Sequence, residues 1–202
     1  MVEDAAEAMG TVYDGRYCGT FGQYGIFSFN GNKMITTSGG GALLCHTEEE
    51  ARRVKFYATQ AREPFPWYQH EQIGYNYRLS NVSAGIGRGQ MRVVDNHIAR
   101  RRSIHRLYTE LLAGLPGITV VEPKKSTMFL PNYWLTTIKV DSNETGFSAL
   151  QLMQHLAKAT SRPVRFGNHC TYNPSFSSSP SYVNGISEAL FNCGSVCLRD
   201  RW

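Results

Sequence analysis

The chain has 202 residues, of which 42% are hydrophobic and 12% aromatic, so it can bury a substantial core, and a wholly disordered chain is excluded. No apolar run is long enough to cross a bilayer, and the acidic start "MVEDAAEAMG" lacks a signal-peptide layout, which predicts a cytoplasmic protein without a membrane partner. The net charge of +5 is concentrated at residues 97–106. Three interpretations of this stretch are a solvated helix face, a nucleic-acid patch and a surface that attracts an anionic small molecule. Because no aromatic residues alternate with its arginines and no nucleic-acid motif accompanies them, we expect no nucleic-acid partner.

The first third of the chain predicts short strands joined by glycine turns. "VEDAAEAMG" reads as a strand end followed by a short helix or turn that stops at Gly10, and "GTVYDGRYCGTFGQYGIFSF" alternates strand patterns with glycines. The continuous apolar run "GIFSF" predicts a strand covered on both faces, and "TSGGGALLC" a glycine turn into another buried strand.

Helices follow. Thr47 is the predicted N-cap of a helix whose first turn carries three glutamates, an arrangement that suits the helix dipole. After an aromatic, proline-bearing loop, an apolar stripe predicts one long linking helix over about 81–113, ended by Gly114 and Pro116.

The composition shifts near Gly117. "NYWLTTIKVD" predicts a strand, "TGFSALQLMQHLAKA" a helix, and "SRPVRF" the start of another strand. We therefore predict an α/β domain over 1–115 and a smaller α+β domain over 116–202.

The chain has five cysteines, an odd number without zinc-ligand spacing. Buried free thiols are favoured over a disulfide framework, and no metal site is predicted. They are Cys18, Cys45, Cys170, Cys193 and Cys197.

Lys33 is the candidate reactive residue. An isolated lysine near glycines is usually a surface charge, but Lys33 follows the apolar segment "IFSF" and precedes a triple glycine that lets backbone approach a planar ligand. A partly desolvated lysine amine can form an imine with an aldehyde. Pyridoxal phosphate needs such a lysine and an aspartate for its ring nitrogen, and Asp4 is a candidate for that carboxylate.

The sequence resembles the DegT/DnrJ/EryC1/StrS family of pyridoxal-phosphate-dependent sugar aminotransferases. The segments that carry the resemblance are "VEDAAEAMG", "YDGRYCGTFGQYGIFSFNGNKMITTSGGGALL", "GYNYRLSNVSAGIGRGQM" and "NYWLTTIKVD". The sequences of these segments resemble most those of the branch that aminates UDP-linked 4-keto sugars, as in the bacillosamine pathway. The implied fold is the C-terminal half of a fold-type-I large domain, a mixed sheet flanked by helices, plus a smaller α+β C-terminal domain.

The resemblance assigns roles to particular residues. Lys33 matches the lysine that binds the cofactor covalently, Asp4 the acid at the pyridinium nitrogen, and Glu7 a position near the ring hydroxyl. Ser28 matches a serine on the cofactor phosphate, and Asn76 an asparagine that reaches the phosphate in the neighbouring subunit, which implies a homodimer. Candidate substrate residues are Tyr77, Arg78, Arg162 and His169.

For several of these positions the residues alone leave a structural alternative open. Ser28 suits a strand interior, Asn76 suits a turn, Tyr77 suits a core, and Arg162 and His169 suit a surface.

The implied reaction transfers an amino group from an amino-acid donor, expected to be glutamate, to a keto group of a nucleotide-linked sugar. Relative to the family pattern, the chain is expected to be truncated at both ends, without the stretch that holds the phosphate-cradling helix start. The alternative hypothesis is therefore a catalytically inert remnant that acts only as a binding or scaffold module.

Overall fold

The computed structural model describes residues 1–123 and 128–159, together with the backbone of two strands at 165–166 and 195–198. The chain forms two units, Met1–Arg100 with Ser126–Trp134, and Arg101–Lys125 with Leu135–Trp202. The division into domains 1–115 and 116–202 stays a prediction.

The first unit contains a three-stranded mixed sheet. β1 (Val2–Asp4) lies parallel to β4 (Tyr24–Ser28), and β4 pairs antiparallel with β5 (Gly41–Cys45). The carboxyl ends of β1 and β4 therefore meet at one edge of the sheet, the edge at which α/β proteins place their ligands.

A smaller antiparallel sheet in the same unit confirms the predicted short strands. β2 (Val12–Tyr13) lies between β3 (Arg16–Tyr17) and β7 (Phe129–Leu130). The β2–β3 turn is Asp14-Gly15, and both residues have positive φ, 47° and 72°. This is the conformation that a tight two-residue hairpin requires.

The first helix begins where the sequence predicts. α1 (Glu48–Ala58) has Thr47 as its N-cap, and a capping box joins Thr47 to Glu50. The three glutamates of its first turn lie where the positive end of the helix dipole favours acids.

The single helix predicted over 81–113 is wrong, because the structure has two. α2 (Asn81–Met91) ends at its C-cap Arg92, and α3 (Val94–Leu112) follows. At the break, backbone hydrogen bonds join residues three apart and not four apart as in an α-helix. The N–H of Arg92 donates to the carbonyl oxygen of Gly89 at 3.3 Å, and the N–H of Val93 donates to that of Gln90 at 3.1 Å. The glycines of "GIGRG" lower helix propensity just before this point.

The second unit contains a four-stranded sheet in the order β6 (Ile118–Val120), β8 (Thr136–Val140), β10 (Ser195–Leu198), β9 (Arg165–Phe166), with every neighbouring pair antiparallel. Two helices, α4 (Ser142–Thr145) and α5 (Ala149–Ala159), follow β8. Its hydrophobic core is built on three buried residues, Ile138, Val140 and Ala149. The strand predicted in "NYWLTTIKVD" is confirmed for its last part only.

The prediction that "GIFSF" is covered on both faces is wrong for this chain. Ile26 of β4 is paired with Leu43 of β5, which places both on one face, and each is 38% exposed. The two cysteines whose side chains are described, Cys18 and Cys45, are free and half-buried. Within the described residues, no helix is both long and apolar enough to cross a membrane.

Candidate active site

Four of the predicted site residues follow the carboxyl ends of two adjacent strands. Asp4 is the last residue of β1 and Glu7 lies in the turn after it. Ser28 is the last residue of β4 and Lys33 lies in the loop after it. Because β1 and β4 are parallel, with Asp4 in register with Ile26, the topology brings these two segments to one edge.

Lys33 and Glu7 form an ion pair. The Nζ atom of Lys33 lies 2.7 Å from Oε1 of Glu7, and the Lys33 side chain is only 13% exposed, whereas that of Glu7 is 49% exposed. Lys33 is therefore a mostly covered amine beside a carboxylate and not a surface lysine. The resemblance placed Glu7 near a ring hydroxyl, and in the structure its carboxylate contacts the lysine amine itself.

Asp4 and Ser28 present simpler surroundings. The Asp4 carboxylate is exposed, and its Oδ1 atom accepts a hydrogen bond of 3.1 Å from the backbone N–H of Ala6. The hydroxyl oxygen of Ser28 is half-buried and accepts a long bond of 3.4 Å from the N–H of Asn30. Both oxygens retain capacity for a further partner.

An aromatic residue that sequence reasoning did not assign lies over the lysine. The Nζ atom of Lys33 is 4.7 Å from the ring centroid of Trp134, within the range of a cation–π interaction. Nearby, the Asn132 side chain donates to the carbonyl oxygens of Glu7 and Met9. The signal available in the sequence was the segment "NYWLTTIKVD", which carried the resemblance but which we interpreted only as a strand.

Asn76, Tyr77 and Arg78 form a separate exposed segment before α2. Thr59 and Asn76 form an isolated antiparallel bridge, and the rings of Tyr75 and Tyr77 stack with centroids 5.4 Å apart. The open alternative of Tyr77 as a core residue is wrong, since it is 77% exposed. Within the described part of the chain, no hydrogen bond or ion pair joins this segment to Glu7 or Lys33.

Two further predicted residues, Arg162 and His169, lie outside the described residues. Where side chains are described, no group of three or more His, Cys, Asp or Glu is arranged to hold a metal ion.

A cavity of about 450 Å³ lies between the loop after β4 and α2. The residues that line it include Phe29, Leu79, Arg88 and Met91, and none of the predicted site residues lines it.

The chain is similar to known proteins over nearly its whole length. It is 42% identical over 202 residues to the protein EpsN of Bacillus subtilis (strain 168), named as a pyridoxal phosphate-dependent aminotransferase, covering 98% of this chain and 50% of that protein. It is 35% identical over 171 residues to the GDP-perosamine synthase of Escherichia coli O157:H7, covering 84% of this chain and 45% of that protein.

A solved structure shows the same fold. The aminotransferase TlmJ of Streptoalloteichus hindustanus superposes with a TM-score of 0.79 at 25% identity, over 98% of this chain and 52% of that chain. The predicted fold class, a fold-type-I arrangement of mixed sheet and helices, is thereby confirmed. The chain spans about half the length of the proteins it matches.

The sequence profile of the DegT/DnrJ/EryC1/StrS aminotransferase family matches residues 1–192. This chain belongs to the DegT/DnrJ/EryC1/StrS aminotransferase family.

Proposed function

We propose that this chain carries the reactive lysine of a pyridoxal-phosphate-dependent aminotransferase that transfers an amino group from an amino acid, glutamate, to a keto group of a nucleotide-linked sugar. The single observation that carries the proposal is the Lys33 amine, 2.7 Å from the Glu7 carboxylate at the carboxyl end of two parallel strands, in a chain of this family.

The residues at this edge fit the cofactor chemically. A covered amine, Lys33, complements the aldehyde; a carboxylate, Asp4, complements a protonated ring nitrogen; and a hydroxyl, Ser28, complements the phosphate. The Asp4 carboxylate can accept a further hydrogen bond, from a ring N–H, and the Ser28 hydroxyl can donate its O–H to a phosphate oxygen. When bound, pyridoxal phosphate supplies an electron sink for a carbanion next to nitrogen.

In this proposal the residues hold charge and move protons. The Nζ atom of Lys33 takes a proton from the α-carbon of the amino donor and delivers it to a neighbouring carbon, acting as base and then as acid. Glu7, as the ion-pair partner of Nζ, holds that amine in place between these transfers. The Asp4 carboxylate would stabilise a positive charge on the ring nitrogen of the bound cofactor. That positive charge would in turn stabilise negative charge that develops in the reaction.

The sugar substrate is supported by the relatives. One of them is named a GDP-perosamine synthase, and a nucleotide-linked sugar carries a diphosphate that the net charge of +5 would attract. Tyr77, Arg78, Arg162 and His169 are proposed on the substrate side. A cytoplasmic location and a homodimer in which Asn76 reaches the neighbouring subunit's cofactor phosphate belong to the same proposal.

Borohydride trapping tests the cofactor assignment. The purified chain is incubated with pyridoxal phosphate, reduced, digested and analysed by peptide mass spectrometry. We expect the phosphopyridoxyl label on the peptide that contains Lys33, and its loss in Lys33→Arg. Lys55→Arg is the matched control, because Lys55 is an exposed lysine on α1.

Other results would contradict the proposal. Labelling spread over Lys55 and other exposed lysines, with no preference for Lys33, would favour the inert binding or scaffold module. Where the label is on Lys33, adding glutamate to the loaded protein should bleach its visible absorption. A chain that elutes as a monomer in light-scattering chromatography would remove the role of Asn76 in a second subunit.

A further inference from the structure

The amine of Lys33 is held from two sides. Oε1 of Glu7 lies 2.7 Å from Nζ on one side, and the ring centroid of Trp134 lies 4.7 Å from the same atom. A carboxylate and an indole face both attract an ammonium group and so hold it in place. Only the uncharged amine attacks an aldehyde. The surroundings of Lys33 therefore influence how easily it reacts.

Trp134 is itself fixed in position. Its side chain is largely buried, with 9% of the residue exposed, and its indole Nε1–H donates a 2.6 Å hydrogen bond to the carbonyl oxygen of Asn32. Asn32 is the residue before Lys33, so the indole is anchored to the same loop as the amine it covers. Tyr133, with φ of 48°, provides the left-handed bend just before Trp134.

Asn132 joins the two partners of the lysine. It is 5% exposed, and its Nδ2 atom donates to the carbonyl oxygens of Glu7 at 2.8 Å and Met9 at 2.9 Å. Its Oδ1 atom accepts from the backbone N–H of Trp134 at 2.9 Å. Both amide donors and the acceptor are thus used, and one side chain ties the Glu7 turn to the Trp134 segment.

We propose that Trp134 and Asn132 are positioning residues for Lys33: Trp134 holds the ammonium group against its ring, and Asn132 keeps Trp134 and Glu7 in place on either side of the amine. This extends the proposed function, because the lysine that would bind the cofactor is held in one position until an aldehyde displaces these partners. Neither residue needs to contact the substrate.

The test uses the cofactor-free protein and a small aldehyde. The chain is treated with formaldehyde and cyanoborohydride, and methylation of Lys33 is divided by that of exposed Lys55, both measured by peptide mass spectrometry. At about pH 7, Trp134→Leu should raise this ratio by roughly three- to tenfold, as loss of a cation–π contact implies.

Matched variants separate positioning from general damage. Trp67→Leu removes a tryptophan that is 60% exposed and stacks on Phe65, and it should leave the ratio unchanged. Trp134→Phe keeps a ring face and should lie closer to wild type than Trp134→Leu. Asn132→Leu has a similar size, removes the two N–H donors and adds no charge, and it should shift the ratio in the same direction as Trp134→Leu. Circular dichroism checks that each variant is folded.

Two results would overturn the inference. An unchanged ratio in folded Trp134→Leu or, if that variant does not fold, equal ratios in wild type, Trp134→Phe and Asn132→Leu would show that these residues do not control the amine. An excess of the same size in Trp134→Phe and in Trp134→Leu would show that the aromatic ring does not hold the amine. Failure of pyridoxal phosphate to label Lys33 would refute the proposed function while leaving the methylation result intact, so the two failures are distinguishable.

Discussion

At the scale of single residues, Glu3 shows how a carboxylate fixes the loop that precedes β4. Its oxygens accept hydrogen bonds from the backbone N–H groups of Gly19, Phe21 and Gly22, the bond from Phe21 being 2.9 Å long. Partial burial acts to raise the pKa of Glu3, but the three donors and the charge of Arg16 outweigh it and hold the pKa below its ordinary value of 4.5. The charged form is therefore the one that stabilises the fold.

A lowered pKa in the folded state gives a definite pH dependence. The stabilisation by Glu3 is present above the unfolded value of 4.5 and is lost as the pH falls through the lower, folded value. We expect Glu3→Gln to lower the free energy of unfolding by about 1 kcal/mol at neutral pH and to flatten its decline in acid. Urea unfolding across this pH range measures both effects, and a variant curve parallel to wild type would contradict the assignment.

At the scale of elements, the capping box of α1 is a local device that sequence alone identifies. Oγ1 of Thr47 accepts from the N–H of Glu50 at 3.1 Å, and Oε2 of Glu50 accepts from the N–H of Thr47 at 3.2 Å. Both residues lie within one turn, so no distant contact is needed to form the pair.

Removal of this cap should have a modest, measurable cost. We expect Thr47→Ala to lower the free energy of unfolding by about 1 kcal/mol, because a first-turn N–H loses its acceptor. Thr47→Ser retains the hydroxyl and is the matched control, so it should remain close to wild type. Equal losses in the two variants would attribute the effect to the methyl group of the threonine.

The central strand β4 depends on close backbone packing that the sequence does not show. A Cβ atom at Gly25 would collide with the carbonyl oxygen of Gly19, and a backbone atom cannot move aside as a side chain can. We expect Gly25→Ala to cost more than about 2 kcal/mol in thermal or urea unfolding. Gly31→Ala is the control, since nothing lies within 4 Å of its Cβ position, and comparable losses in both would rule out the proposed collision.

At the scale of the whole molecule, apolar surface remains on the sheet of the first unit. Val2, Ile26 and Leu43 share one face of β1, β4 and β5 by register and are 61%, 38% and 38% exposed. Adjacent exposed apolar residues on a sheet favour association between copies.

Polar replacement on this face should reduce that association. The double variant Ile26→Thr with Leu43→Thr places threonine, a residue that favours β-strands, at both positions and removes apolar surface. We expect less concentration-dependent light scattering with an unchanged far-UV spectrum. The same double change at Leu111 and Leu115, exposed residues that are not part of this sheet, serves as the control, and equal relief from both would point to general hydrophobicity.

The sequence by itself determined what depends on neighbouring residues and on family pattern: the short strands joined by glycine turns, the cap at Thr47, the family, and Lys33 as the candidate reactive amine. It failed at the break between α2 and α3, where three glycines and a switch in hydrogen bonding outweigh an apolar stripe that runs past it. Tertiary structure alone decided the surroundings of Lys33. Glu7 lies 26 residues before it and Trp134 lies 101 residues after it. Periodicity and turn chemistry act over a few residues, whereas the parallel pairing of β1 with β4 and the hydrogen bonds of Asn132 bring these distant groups to one amine.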